Sequence, residues 1–331
     1  MIKEPYILFL ANSKSPQDAK TAFGIHQWRK EKCISTLSYD KCQVKLDLPE
    51  FTLKQSLEKG AKTLIIGCAN SGGYIEDNWL KTIKEAISLG LDIASGMHQK
   101  LNDNEELKQL ANQYNVTLHD VRTYNKELKT ANGKKRSGKR ILTVGTDCSV
   151  GKMYTALAIE KEMIKKGYSA SFKATGQTGI LITGSGIPID AVISDFISGG
   201  IEQLSPDQDH NHYDIIEGQG SLMHPSFAGV SLGLLHGAQP DYLILCHDPS
   251  RSKIRHLEIN MPKIEDVIQL NLEHAKLTNP NVKFIGIALN LSQIDSRNKK
   301  IKIKEDLRTK FNLPICDPLE DISEIANQIP H

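Results

Sequence analysis

The sequence lacks the features that mark several large classes of proteins. None of its 331 residues lies in an apolar run of about 18, the length that identifies a membrane-spanning helix. Residues 1–6 lack the apolar stretch and small-residue cleavage site of a signal peptide, so we expect a cytoplasmic protein. The 41 lysines and arginines nearly balance the 39 aspartates and glutamates. This net charge of +2 argues against nucleic acid as a partner.

Cysteine is also sparse, and its spacing excludes the common cysteine-based sites. The six cysteines include no CxxC pair, which indicates a reduced chain without a disulfide framework. His210 and His212 form a His-x-His pair, but no third ligand lies nearby in the sequence. We therefore expect these histidines in a solvated loop and predict no metal site.

The N-terminal part alternates short apolar runs with segments of helical periodicity. Strands are predicted at 6–10, 62–68 and 91–96, and a helix at 79–89. Such alternation predicts a parallel sheet, whose ligands gather at the carboxyl ends of its strands. The loops 69–73 and 95–98 are therefore expected to face a cleft.

A basic, glycine-containing stretch follows and is the best candidate for a linker. Its basic residues are Lys126, Lys129, Lys134, Lys135, Arg136, Lys139 and Arg140. We expect a solvated face. The alternative, that the stretch lines the access path of an anionic cofactor, stays open. The predicted organisation is a Rossmann-like α/β domain at 1–125, a linker at 126–139 and a P-loop α/β domain at 140–331.

The third predicted segment begins with the pattern of a phosphate-binding loop. A strand at 140–144 precedes a glycine-rich loop, and a helix is predicted at 152–166. Further strands are predicted at 169–174, 213–216, 242–246 and 283–289. In such a loop, successive backbone N–H groups and the helix N-terminus face one concavity, and a lysine adds positive charge. The predicted cofactor-binding residues are Gly145, Thr146, Asp147, Cys148, Ser149, Val150, Gly151, Lys152, Met153, Tyr154 and Asn290.

Two departures from the usual phosphate loop limit the kinds of ligand that it can bind. The spacing between Gly145 and Gly151 is one residue longer than the common pattern. Met153 stands where nucleotide hydrolases place the serine or threonine that binds Mg²⁺. A thioether is a poor ligand for this hard cation, so a role for Mg²⁺ is doubtful. A diphosphate without a γ-phosphate to transfer, as in coenzyme A or a dinucleotide, suits this loop.

Several polar residues near predicted strand ends are candidates for catalysis. A general base is sought among Asp190, Asp195, Glu217 and His224. For the two aspartates, a helix start and a solvated position are equally good interpretations. Cys148 lies at a helix N-terminus, but the sequence places no base beside it, so backbone binding is favoured over nucleophilic catalysis.

Lys173 and Arg251 follow strands and are candidate clamps for substrate anions. For Arg251 a solvated loop position is equally plausible, and Asn290 is read either as an adenine contact or as a turn residue.

The phosphate loop resembles the long loop of dethiobiotin synthetase and its relatives, except at Met153. A resemblance over nearly the whole chain is carried by residues 94–98, 118–122, 135–140, 145–154, 174–179, 217–222, 229–236 and 246–251. These motifs are similar to a family labelled as a domain of unknown function of P-loop NTPase-like type. That family includes D-glutamate N-acetyltransferase.

The resemblance implies acetyl-CoA held by the phosphate loop and an acetyl group transferred to an amino acid. Such a reaction needs a base, donors to the developing oxyanion and clamps for substrate carboxylates. The expected substrate-binding residues are Lys173, Gln177, Gln219, Ser221, Arg251 and Arg122. We expect a homo-oligomer acting on a small molecule. A Mg-ATP-dependent enzyme of the dethiobiotin synthetase type and a non-catalytic nucleotide sensor remain alternatives.

Overall fold

The computed structural model describes residues 2–16, 18–70, 73–124, 126–255 and 257–330. The strands are β1 Tyr6–Ala11, β2 Cys33–Ser38, β3 Thr63–Ile66, β4 Asp92–Ser95, β5 Leu118–Asp120, β6 Lys139–Gly145, β7 Ser169–Lys173, β8 His212–Ile216, β9 Tyr242–His247, β10 Lys283–Leu289 and β11 Ile315–Cys316. The α-helices are α1 Lys20–Arg29, α2 Leu53–Glu58, α3 Asp77–Ser88, α4 Glu105–Tyr114, α5 Lys152–Lys165, α6 Gln177–Thr183, α7 Ile197–Leu204, α8 Ala228–Ala238, α9 Ile264–Ala275, α10 Arg297–Phe311 and α11 Ser323–Ala326.

The chain forms two compact units. The first unit contains Met1–Asn125 and Gln177–Pro188, and the second contains Lys126–Gly176 and Ile189–His331. Helix α6 therefore belongs to the first unit, although strand β7 just before it belongs to the second. The predicted domain limits of 1–125, 126–139 and 140–331 stay predictions.

The first unit is built on a five-stranded parallel sheet with the order β2-β1-β3-β4-β5. Every residue of β1, β3 and β4 is buried, as the apolar runs predicted. Helix α3 packs Trp79 edge-on against Phe9 of β1, with ring centroids 6.1 Å apart. Burial of such large aromatic side chains contributes most of the hydrophobic stabilisation of a small core.

The second unit is built on a six-stranded parallel sheet with the order β11-β10-β9-β6-β8-β7. Strand β6, which leads into the glycine-rich loop, lies between β8 and β9. The loops after these three strands therefore meet at one edge of the sheet. The two parallel sheets confirm the predicted fold class. Across the described ranges, no helix is long and apolar enough to cross a membrane.

The basic stretch that leads into β6, and includes its first two residues, contains exposed lysines and buried arginines. Its five lysines are exposed, as predicted, but Arg136 is 8% exposed and Arg140 is fully buried. The expectation of a solvated face is therefore wrong for the arginines. The Arg136 guanidinium donates to carbonyls at the ends of helices α7 and α8, among them those of Ser205 and Gly237. These carbonyls have no partner within their helices and carry partial negative charge, which a buried guanidinium balances.

Candidate active site

The glycine-rich loop joins β6 to α5 and has the backbone of a phosphate-binding loop. Gly151 has a φ of 102° immediately before the helix, in the left-handed region that favours glycine. Thr146 and Asp147 are fully buried, whereas Ser149 is exposed. Asn290, which follows β10, lies beside Gly151, 3.9 Å from where a Cβ there would be.

Lys152 folds back over this loop. Its Nζ donates to the carbonyl of Asp147 at 2.7 Å, and the side chain is only 7% exposed. Burial lowers the pKa of this ammonium, while the nearby groups of Cys148 and Glu217 oppose that effect. The lysine thus supplies a poorly hydrated positive charge at the helix N-terminus, which favours a phosphate group.

Two threonine hydroxyls near Met153, those of Thr146 and Thr155, already have partners. Thr155 is buried, and its Oγ1 accepts from the thiol of Cys246 at 3.4 Å. The hydroxyl of Thr146 lies 3.0 Å from Nδ1 of His247. Burial lowers the pKa of His247 to about 4, so this ring stays neutral. Both threonine hydroxyls are thus already engaged within the second unit. Tyr154 is half-buried, and burial raises the pKa of its phenol.

The carboxylate of Asp147 anchors the loop that follows β9. Its Oδ2 accepts from the Arg251 guanidinium and from the backbone N–H of Arg255 at 2.7 Å. Its Oδ1 accepts from the backbone N–H of Cys148 at 2.6 Å. Arg251 also donates to the carbonyl of Cys148 at 2.9 Å, and Arg255 donates to Oγ of Ser149 at 2.5 Å. Two arginines therefore fix the conformation of residues 147–149.

His224 lies on the other oxygen of this carboxylate. Its Nε2 is 3.8 Å from Asp147 Oδ1, and the ring is buried. Its Nδ1 accepts a hydrogen bond from the backbone N–H of Ser226 at 3.1 Å, so Nδ1 carries no proton. In the neutral ring the proton therefore sits on Nε2 and faces Asp147.

This tautomer bears on the possibility of a metal ion. The ligand atoms of Asp147, Cys148 and His224 lie within 4.8 Å of one another. A metal would need the Nε2 lone pair of His224, but the Ser226 hydrogen bond leaves the proton on that nitrogen. The Arg251 guanidinium adds a positive charge on the same carboxylate. The arrangement fits a histidine–carboxylate pair better than a metal centre.

Glu217 follows β8 and has the surroundings of a general base. It is 5% exposed, and its Oε2 accepts from the backbone N–H groups of Thr175 at 2.9 Å and Gly176 at 3.0 Å. Among the described residues, no hydrogen bond reaches its other oxygen, Oε1. Burial raises the pKa of this carboxyl to about 7, against the opposing effect of the two backbone hydrogen bonds. A carboxyl that titrates near neutral pH suits proton transfer.

Asp190 and Asp195 are both exposed, so they are not buried carboxylates in an apolar setting. They lie in the 3₁₀ turns Ile189–Ala191 and Ser194–Phe196. Asp190 is close enough for its charge to contribute to the raised pKa of Glu217. Asp190 therefore borders the Glu217 site.

Gln219, one of the expected substrate-binding residues, is linked to Glu217 by hydrogen bonds through Thr175. Gln219 donates through Nε2 to Oγ1 of Thr175 at 3.1 Å, and Thr175 in turn donates to the carbonyl of Glu217 at 2.7 Å. Gln219 and Ser221 line a small cavity of about 10 Å³ beside Gly145. That volume is close to the space that one water molecule needs.

Lys173 is placed differently from the expectation. Its Nζ pairs with Asp214 Oδ1 at 3.2 Å, in a polar cluster with Ser171 and His212. His212 thus lies in β8 with both ring nitrogens hydrogen-bonded, and its expected place in a solvated loop is wrong. Of the remaining candidates, Arg122 and Gln177 belong to the first unit.

Arg255 is the residue at this site that the sequence analysis missed. Its spacing of four residues from Arg251 was a signal, but a basic residue in a loop has many possible partners. Its place on Asp147 and Ser149 follows only from the tertiary structure.

The fold and the site define a class: two-unit α/β proteins in which a phosphate-binding loop and a buried carboxyl meet at one sheet edge. Family models narrow this class. The model described as "Domain of unknown function (DUF1611_C) P-loop domain" matches residues 129–326, and the "DUF1611_N" Rossmann-like domain matches residues 37–124. The chain belongs to this DUF1611 family, which confirms the resemblance seen in its motifs.

Individual relatives match almost the whole chain. A protein of Pseudoalteromonas sp is 49% identical over 97% of this chain and 96% of its own length. A protein of Tritonibacter scottomollicae is 46% identical over 96% of each. Both are named D-glutamate N-acetyltransferase. The crystal structure of a DUF1611 family protein from Anabaena variabilis has a TM-score of 0.87 and 27% identity, covering 98% of this chain and 99% of that one.

Proposed function

We propose that this protein transfers the acetyl group of acetyl-CoA to the amino group of D-glutamate. The observation that carries the proposal is the similarity, along nearly the full length of both chains, to two proteins of that name. The geometry around Glu217 and the phosphate loop supports the same class of reaction. We place the reaction in amino-acid catabolism. A homo-oligomeric state stays a prediction.

The phosphate loop suits the pyrophosphate of acetyl-CoA. The backbone N–H groups before α5 and the ammonium of Lys152 would hold the two phosphates, and Asn290 beside Gly151 would contact the adenine. Met153 brings no hydroxyl for a metal ion, and the hydroxyls of Thr146 and Thr155 are engaged. Acetyl transfer needs no Mg²⁺ between the phosphates, so the proposed reaction does not require a hydroxyl at position 153.

Glu217 is the proposed general base. Its Oε1 would take a proton from the substrate ammonium, while Oε2 stays on the amides of Thr175 and Gly176. The neutral amine then attacks the thioester carbonyl. The new C–N bond forms, the C–S bond breaks, and the second nitrogen proton passes to the departing thiolate. The side-chain amide of Gln219 and the hydroxyl of Ser221 are the proposed donors to the oxyanion.

The Arg251 guanidinium is already paired with Asp147, so we assign it to the shape of the phosphate loop rather than to the substrate. We also favour Glu217 over His224 as the base, because Nδ1 of His224 already accepts a hydrogen bond from the backbone N–H of Ser226 and its Nε2 faces Asp147.

The experiment incubates the purified protein with acetyl-CoA and a panel of D- and L-amino acids. Free thiol is measured, and the acetylated product is identified by mass. We expect thiol release with D-glutamate and none without an amino acid. If no amino acid in the panel gives thiol release, the proposal is wrong. Mg-dependent ADP release stimulated by a substrate would instead favour the ATP-dependent alternative, and tight ligand binding without turnover would favour a nucleotide sensor.

A further inference from the structure

The first unit contains a cavity that the proposed reaction does not use. It has a volume of about 130 Å³ and lies where β3 and β4 end and α1 begins. The sequence predicted a cleft between the loops 69–73 and 95–98. Residues 71 and 72 lie outside the described residues, but Asn70, Gly73 and His98 line the cavity, which confirms the cleft.

The topology of the sheet places this cavity at the position where open parallel sheets bind their ligands. Strand β1 has β2 on one side and β3 on the other, so the chain reverses its direction of winding between β1 and β3. Ligands of open parallel sheets bind in the crevice at such a point. Residues 12–19, which follow β1, contain no glycine. A dinucleotide pyrophosphate needs glycines there for close backbone approach, so a smaller ligand is indicated.

Two glycines make room for polar side chains at the cavity wall. A Cβ at Gly96 would lie 2.5 Å from Oε1 of Gln177, and a Cβ at Gly73 would lie 2.6 Å from Cδ2 of His98. Within the described part of the chain, neither side chain has a hydrogen-bond partner. Their N–H groups are therefore available to a ligand at the same wall.

The charge of the lining residues indicates the chemical class of the ligand. Lys20 lines the cavity and brings an ammonium group. No acidic residue occurs among the described residues that line it. A lysine, a histidine and a primary amide together match a carboxylate, which only accepts hydrogen bonds.

We propose that this cavity binds the carboxylate end of a small organic or amino acid through Lys20, His98 and Gln177. A volume of about 130 Å³ resembles the roughly 150 Å³ cavity that holds one benzene molecule. It has room for a carboxylate and its adjoining carbons but not for a nucleotide. The inference rests on the proposed function only for its choice of probes.

The test measures binding by calorimetry in the full-length Lys152→Ala variant, so that the phosphate loop adds no anion binding through its lysine. The probes are D-glutamate, N-acetyl-D-glutamate and glutarate, which lacks an amine. We expect at least one probe to bind. Lys20→Gln and Gln177→Ala should each weaken that binding roughly tenfold, the effect of one hydrogen bond to a charged group. Lys14→Gln is the matched control, because Lys14 is exposed in the same connection but does not line the cavity.

The arms of the experiment separate the sources of the carboxylate. Preferred binding of D-glutamate identifies the acceptor, preferred binding of N-acetyl-D-glutamate identifies the product, and equal binding of glutarate identifies a general acid site. Each of these supports the inference. No binding of any probe, or affinities unchanged within twofold in both cavity variants, overturns it. Thiol release by the wild-type protein is scored separately, so failure here is distinct from failure of the proposed function.

Discussion

Replacing Glu217 by glutamine tests its role as the base and alters the charge of the site without altering its shape. The glutamine Oε1 can still accept from the N–H groups of Thr175 and Gly176, which hold the present carboxylate at 2.9 and 3.0 Å. The variant cannot accept a proton. Because a positioned base contributes roughly 10²- to 10⁴-fold, we expect kcat/KM for acetyl transfer to fall by about that factor.

The same substitution should stabilise the protein at alkaline pH. Burial raises the pKa of Glu217 from 4.5 to about 7, so the folded state binds a proton more tightly than the unfolded state. Stability is therefore lost as pH rises from 4.5 to 7. At 1.36 kcal/mol per pH unit the cost above pH 7 is about 3 kcal/mol. Glutamine has no charge to bury. The free energy of unfolding of the variant should therefore exceed that of the wild-type protein by about 1–3 kcal/mol at pH 8 and by close to zero at pH 4.

The assays are thiol release across pH 6–8 and urea unfolding at pH 4 and pH 8. In the wild-type protein kcat/KM should decline below pH 7 as Glu217 takes up a proton. Glu202→Gln is the matched control, because Glu202 also accepts hydrogen bonds from two backbone N–H groups, those of Asn132 and Gly133, but has no part in the proposed site. This control should leave acetyl transfer unchanged. A Glu217→Gln variant that keeps more than about a tenth of the activity, or gains no stability at pH 8, refutes the assignment.

Three further substitutions test the phosphate loop and its supports. Met153→Thr should leave kcat/KM for acetyl-CoA within about threefold and bring no Mg-dependent ADP release, since acetyl transfer uses no hydroxyl there; a gain of ATP hydrolysis would contradict this. Arg251→Ala should lower the free energy of unfolding by about 2 kcal/mol, because it leaves the buried carboxylate of Asp147 without its cation. Urea unfolding measures this, with the exposed Arg308→Ala as a control expected below about 1 kcal/mol. Arg136→Met should cost about 3 kcal/mol in the same assay, since it leaves carbonyls at two helix ends without donors; a loss below about 1 kcal/mol would show that these carbonyls find other partners.

Buried strands were predictable from sequence because both of their faces are covered. The sequences of strands β1, β3 and β10 are mostly continuous apolar runs. Each strand was predicted within a few residues of its observed bounds. Strand β2 lies at the edge of its sheet, and only two of its six residues are buried. Its sequence, Cys-Ile-Ser-Thr-Leu-Ser, therefore lacks the apolar run that identified the others.

The site was predictable only where neighbours in sequence are neighbours in space. The loop from Gly145 to Lys152 is one continuous segment, so its strand, glycines and helix could be recognised together. The burial of Arg136 depends on carbonyls 69 and 101 residues away, at Ser205 and Gly237. The partner of Lys173 is Asp214 on the adjacent strand, and a strand end alone does not say to which face a side chain points. Pairings of this kind arise from packing between elements and leave no local pattern.

Asp147 and Glu217 are buried carboxylates beside the phosphate loop that have different partners, and the difference suggests different roles. Asp147 lies in a loop suited to anions, yet its charge is balanced by the Arg251 guanidinium and by two backbone N–H groups. A carboxylate so compensated holds the loop and the arginines in place. Glu217 accepts hydrogen bonds from two backbone N–H groups and forms no ion pair with any residue that the structure describes, and burial raises its pKa to about 7. Because the two carboxylates differ in this way, we propose that Asp147 has a structural role and that Glu217 is the acid that moves protons.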